Sequence, residues 1–186
     1  MTPPVTETPG DGRSGDARRL FVALRPPRPA RESIAVLDLP PAAGFRRVPE
    51  EQLHVTLAFL GRCGVDPVTA ALAGARLPSC TATLGPSVQR LGPKVVMVPV
   101  QGLEPLAEAV RQALEPFTEK PFERPFLGHL TLGRIRGRAD KDHVRDLTAV
   151  LGQRVSASWR PTRLELVASV TDPGGALHEV LHRFPL

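Results

Sequence analysis

The 186-residue chain is 41% hydrophobic and 23% charged, the balance of one globular domain or two small lobes sharing a core rather than of a multi-domain assembly. Its longest apolar runs, such as residues 95–100, fall far short of the roughly 20 residues a helix needs to cross a bilayer, which excludes a membrane-spanning helix. The net charge is +5, and 21 of the 24 basic residues are arginine, whose planar fork of donors suits phosphate oxygens, although arginine-rich coding bias produces the same excess.

Residues 1–18 offer almost nothing to bury and are expected to form a disordered leader, leaving one domain over 19–186. Leu20 to Leu24 form a short apolar run closed by Pro26 and Pro27, a strand followed by a break. Helical spacing of Ile34 and Leu37 predicts a helix over 30–39, stopped by Pro40 and Pro41. Residues 53–60 read as a strand ended by Gly61, and Asp66-Pro67 as N-cap and first helical position of a helix reaching Arg76. Two strands, 81–91 and 95–100, flank the Gly92-Pro93 turn. Leu106, Val110, Ala113, Leu114 and Phe117 share one face of a helix over 103–117. A strand over 127–135 follows, then a helix over 140–151 with Val144, Leu147 and Leu151 inward, then strands near 154–159, 162–170 and 177–183. This order is α+β, not a regular parallel alternation.

No phosphate-binding GxxxxGK[ST] or GxGxxG sequence occurs, so a P-loop or Rossmann turn is unsupported. The absence of Tyr and the single Trp argue against an aromatic-rich surface for stacking bases. Cys63 and Cys80 stand in no metal-ligand spacing and no charged-then-apolar leader opens the chain, so a reducing cytoplasm is the expected location.

The informative feature is a sequence present twice: His54-Val55-Thr56-Leu57 and His129-Leu130-Thr131-Leu132. From the composition, one H-x-T-L is expected about 0.04 times in such a chain. In a strand, alternate side chains share a face, so each copy sets an imidazole beside a hydroxyl on one face and two apolar side chains on the other. A lone strand histidine is usually structural and a lone threonine simply a good strand former, but the duplication favours paired catalysts. Two imidazoles suit acid-base work near neutral pH, one accepting a proton while the other donates. Phosphodiester hydrolysis needs both acts, together with neutral donors for the non-bridging oxygens, which threonine hydroxyls supply. No carboxylate or cysteine lies at ligand spacing from either copy, so neither a metal nor another cofactor is expected.

These residues resemble the two-histidine (2H) phosphoesterase superfamily, and within it the bacterial and archaeal RNA 2',3'-cyclic phosphodiesterase branch, historically called the 2'-5' RNA ligase family. The likeness extends to residues 19–24 (RLFVAL), to 53–61 (LHVTLAFLG) and to the closing stretch 179–186. The resemblance implies a bilobal α+β fold, two antiparallel-sheet lobes with flanking helices related by a pseudo-twofold around a central cleft. It implies His54 as proton donor, His129 as proton acceptor, Thr56 and Thr131 holding phosphoryl oxygens, and no metal requirement. The reverse assignment of the two histidines is open at this stage. Arg134 matches a basic position common in the family and is a phosphate-binding candidate, with Arg136 a weaker one. Two departures stand out: Gly128 replaces the proline common before the second histidine, which would loosen the start of that strand, and His178 stands near the place of a common tyrosine. His143 reads as a solvated helix residue, and His182 belongs to neither motif.

The expected partners are RNA 3' ends or small cyclic nucleotides, handled by a monomer without a membrane. Two other readings use the same cleft: hydrolysis of another small cyclic nucleotide or an ADP-ribose cyclic phosphate, and nucleotide binding without turnover. An intact histidine pair argues against a pure binder, and a basic surface leading from the cleft would favour RNA.

Overall fold

The computed structural model describes residues 17–39, 44–135, 149–172 and 175–186. The strands are β1 (Ala17–Leu24), β2 (Phe45–Arg47), β3 (Val55–Gly64), β4 (Ala82–Leu84), β5 (Gln89–Leu91), β6 (Val95–Gln101), β7 (His129–Ile135), β8 (Ala157–Trp159), β9 (Arg163–Asp172) and β10 (Gly175–Pro185). The helices are α1 (Arg28–Ala35), α2 (Val65–Gly74) and α3 (Glu104–Leu114), with single 3-10 turns at Glu50–Gln52 and Glu115–Phe117. The strands form an antiparallel path β10-β9-β1-β3-β7-β6-β4-β8, with β2 added to β7 and β5 to β6. The fold is therefore α+β, with the two motif strands adjacent at the middle of the path.

Burial explains why β1 reads as a continuous apolar run. Leu20, Val22 and Leu24 enter the main core, while Phe21 and Ala23 face the other side and cluster with Val167 of β9. A strand covered on both faces has no reason to alternate. Helix α3 packs on β3 and α2, and α2 also touches β1 and β10. Leu106, Val110 and Leu114 of the predicted face of α3 are fully buried, together with Ala107, whereas Ala113 is only partly buried and Phe117 lies partly buried in the 3-10 turn that follows the helix.

Several boundaries differ from the sequence reading. The first strand starts at Ala17, two residues inside the expected leader. Helix α2 starts at Val65 with Gly64 as its cap, so Asp66 lies within the first turn and complements the helix dipole rather than capping it. The strand expected over 81–91 is broken, because Gly85 adopts φ +120° where a side chain would collide with the Val155 carbonyl, and Pro86 has no N–H to donate. Strand β2 carries no sequence signal of its own; three residues are too few to show a period. The helix expected over 140–151 and His143 fall mostly or wholly outside the described residues, as does Arg136.

Candidate active site

Between β3 and β7 there is one registered pair, Val55 with Leu130, and both side chains are fully buried. Their chain neighbours therefore face the other side of the sheet. Continuing the register by one residue each way sets His54 across from Thr131 and Thr56 across from His129. Beyond this point β2 rather than β3 pairs with β7, at Phe45 to Arg47. The motif strands thus diverge and leave a cavity of about 470 Å³ lined by both histidines, both threonines and Arg134. All five residues singled out in the sequence meet there.

Parity alone would send Arg134 to the wrong face, because it lies three residues after Thr131. The register explains its position: Val96 pairs with Gly133 and Met97 with Thr131, so Leu132 is an extra residue in β7. Such a bulge resets the alternation. The first copy does the same, since Val22 pairs with Ala58 and Ala23 with Thr56, leaving Leu57 as the extra residue. Consequently Phe59, the fifth residue after His54, reaches the cavity just as Arg134, the fifth after His129, does. Each bulged leucine leaves a carbonyl off the ladder, and each carbonyl is satisfied. Arg111 of α3 donates from Nε to the Leu57 oxygen at 3.1 Å, and the Val48 amide donates to the Leu132 oxygen at 2.8 Å. The Arg111 guanidinium is held between the Phe122 and Phe126 rings, 5.2 and 5.5 Å from their centroids.

Both imidazoles are fixed in the same way. Nδ1–H of His54 donates to the Gln52 carbonyl at 2.6 Å, and Nδ1–H of His129 to the Leu127 carbonyl at 2.8 Å. A carbonyl can only accept, so in the neutral rings the proton sits on Nδ1 and the Nε2 lone pair is left for the cleft. His54 immediately precedes β3, after the turn at Glu50–Gln52, whereas His129 opens β7. The start of β7 is not loosened by glycine: the Val100 amide donates to the Gly128 carbonyl at 2.9 Å, and a Cβ at Gly128 would collide with the Val100 oxygen. Close approach of β6 requires glycine here.

The two rings have different surroundings. His54 lies 5.1 Å from Phe21 and 5.2 Å, edge-on, from His178, which is itself 5.0 Å from Phe21. Burial pushes the His54 pKa down to about 4, helped by the positive charges of His178, Arg25 and His129 and opposed by the Gln52 carbonyl. His178 is also shifted down, by burial and then by Arg25. Behind these rings Glu165, 4% exposed, accepts from Arg183 Nε at 3.2 Å and pairs with Arg25 Nε at 3.5 Å. His178 therefore belongs to the site wall, while His182 is exposed and stands off it near Phe184.

Arg19, Phe21, Arg46 and Arg47 also line the cavity and were not singled out as site residues from the sequence. The signal available was distance from the motifs: Arg46-Arg47 lie just upstream of the first copy, and Phe59 occupies the position that Arg134 holds in the second.

A family model described as the 2'-5' RNA ligase superfamily matches residues 26–173. The RNA 2',3'-cyclic phosphodiesterase of Escherichia coli is 37% identical over 134 residues, covering 67% of this chain and 76% of that protein. The protein of the same name from Thermus thermophilus is 28% identical over 186 residues, covering 90% of each. Among solved structures, E. coli LigT complexed with 3'-AMP superposes with a TM-score of 0.70 at 28% identity, over 92% of this chain and 99% of that one. With the family model spanning most of its length and both histidine motifs gathered in one cleft, the chain belongs to the 2'-5' RNA ligase superfamily.

Proposed function

We propose that this protein hydrolyses 2',3'-cyclic phosphate ends of RNA to 2'-phosphate ends by acid-base catalysis between His54 and His129, without a metal. The observation that carries this reading is the matched pair of imidazoles, each tied through Nδ1 to a carbonyl two residues upstream and each beside a threonine. Water attacks phosphorus in line with the 3' oxygen, and His129 Nε2 takes its proton. The bond from phosphorus to O3' breaks, and His54 Nε2 delivers a proton to the departing oxygen. Thr56 and Thr131 donate hydrogen bonds to the non-bridging oxygens as charge builds on them, and Arg134 adds a positive charge nearby. His54, neutral in the free protein at pH 7, takes up its proton as the phosphodiester anion enters and raises its pKa. In this reading the protein works as a monomer.

The relatives named RNA 2',3'-cyclic phosphodiesterase support this substrate class. The test is incubation with an oligonucleotide ending in a 2',3'-cyclic phosphate, in EDTA, with the His54→Ala protein alongside and the two product isomers resolved. A 2'-phosphate made only by the unaltered protein is expected. No turnover, or turnover lost to chelation and restored by zinc, overturns the reading.

A further inference from the structure

The two motif strands are joined to one another by a single registered pair, Val55 with Leu130, before they diverge. One pair pins the strands at one point and leaves the spacing of their reactive ends to other contacts. Arg111 of α3, the helix that packs on β3, reaches both arms. Its Nε–H donates at 3.1 Å to the carbonyl of Leu57, the residue directly after Thr56, and its Nη1 donates at 3.0 Å to the carbonyl of Arg124. Arg124 lies in the segment that runs from the 3-10 turn at Glu115–Phe117 to the start of β7, and so do Phe122 and Phe126, the rings against which the guanidinium packs. From Phe126 the path to the second histidine is short. The ring of Phe126 comes within 3.1 Å of the place a Cβ would take on Gly128, so it rests on the residue that precedes His129. Between them, Leu127 supplies the carbonyl that holds His129 Nδ1. Arg111 is not among the residues lining the cavity, so it acts through the two arms rather than on the substrate.

We infer that Arg111 is a positioning residue: its guanidinium bridges the first motif strand to the segment ahead of His129 and thereby sets the spacing between the two motif imidazoles. The consequence for turnover rests on the proposed function; the bridge itself does not. A guanidinium suits the task because its donors are fixed in one plane, so two carbonyls bound to it are held at a set distance from each other. An ammonium offers one donor atom on a flexible stem and cannot span both in that way. Proton transfer to and from opposite sides of one phosphorus needs the two Nε2 atoms at a defined separation. A displacement of about 1 Å costs up to about 100-fold in rate.

Arg111→Ala and Arg111→Lys test the bridge, with an oligonucleotide ending in a 2',3'-cyclic phosphate as substrate. In Arg111→Ala kcat should fall by about 10-fold or more while KM changes far less, because the groups that hold the phosphate stay in place. Arg111→Lys should fall between the two. Guanidinium chloride at about 20 mM, far below denaturing concentrations, should restore the kcat of Arg111→Ala several-fold by refilling the space beside the two rings, and sodium chloride at the same concentration should not. In 15N spectra the imidazole signals of both His54 and His129 should shift in Arg111→Ala, since both arms lose their common tie. A shift of the His54 signals alone, a loss confined to KM, or an unchanged kcat in the folded variant overturns the bridge, as does a loss that guanidinium leaves untouched. If Arg111→Ala does not fold, Arg111→Lys carries the same comparison, and wild-type kcat with unshifted His129 signals overturns the bridge there. A wild-type protein that does not turn over the substrate overturns the proposed function instead, and the histidine signals still decide the bridge.

Discussion

The two motif strands share a sequence, a bulge and an imidazole anchor, yet they build opposite halves of a site. Around His54 the neighbours are Phe21, His178 and Arg25, which strip away water and add positive charge. Around His129 no aromatic ring packs at comparable distance among the described residues, and the strand continues to Arg134 and its partner Arg46. Identical motif residues thus acquire different neighbours from the strands beside them. Local sequence supplies the reactive group, while the packing environment decides its charge state.

The largest expected effect is on turnover. His54→Ala and His129→Ala should each lower kcat by about 100-fold or more while near-native circular dichroism persists. The roles then separate with a substrate whose 3' bridging oxygen is sulfur, since a thiolate leaves without needing a proton. Most of the loss in His54→Ala should be recovered on that substrate and little of the loss in His129→Ala. The opposite pattern would reverse the donor and acceptor.

Acid stability sharpens the contrast further. Because the folded pKa of His54 is about 4 and the unfolded value near 6.5, the unfolded chain binds the proton more readily. Stability is therefore fully present above pH 6.5 and is lost as pH falls toward 4, by about 3 kcal/mol for this residue at the limit. His178 is shifted in the same sense. Urea unfolding of the wild type and His54→Asn between pH 7 and 4 measures the difference; parallel curves would refute the buried-neutral description of His54.

A smaller effect is expected from Arg111→Ala. It leaves the bulged Leu57 carbonyl without its donor and should cost about 1–3 kcal/mol of folding stability. The backbone partner of the Leu132 carbonyl, the Val48 amide, is untouched by this change, so activity loss should track displacement of Phe59 and His54 rather than of Arg134. Wild-type stability in Arg111→Ala would show that the first bulge is held by strand pairing alone.

The smallest expected effect belongs to His178→Phe. Removing that ring's charge should raise the His54 pKa measured by NMR, but only part of the way, because burial is the larger cause. An unchanged or lower value would remove His178 from the electrostatics of the site.

The sequence by itself determined which two histidines would line the cleft. A repeated His-x-Thr-Leu within apolar runs fixes which side chains share a face, since strand alternation is a local property of the backbone. It also determined the α+β order and the buried face of α3, where the periodicity spans three turns. It did not determine that the leucine of each motif is an extra residue in its strand. A bulge is a mismatch in count between two strands, and one strand's sequence cannot report what lies opposite. That mismatch puts Phe59 and Arg134 in the cleft. The same reasoning covers β2, where three residues become a strand only because β7 offers an unpaired edge beside Gly133. It covers His54 as well, whose lowered proton affinity arises from Phe21, His178 and Arg25, residues distant in the chain and brought together only by the pairing of β1 with β3 and β9 and of β9 with β10.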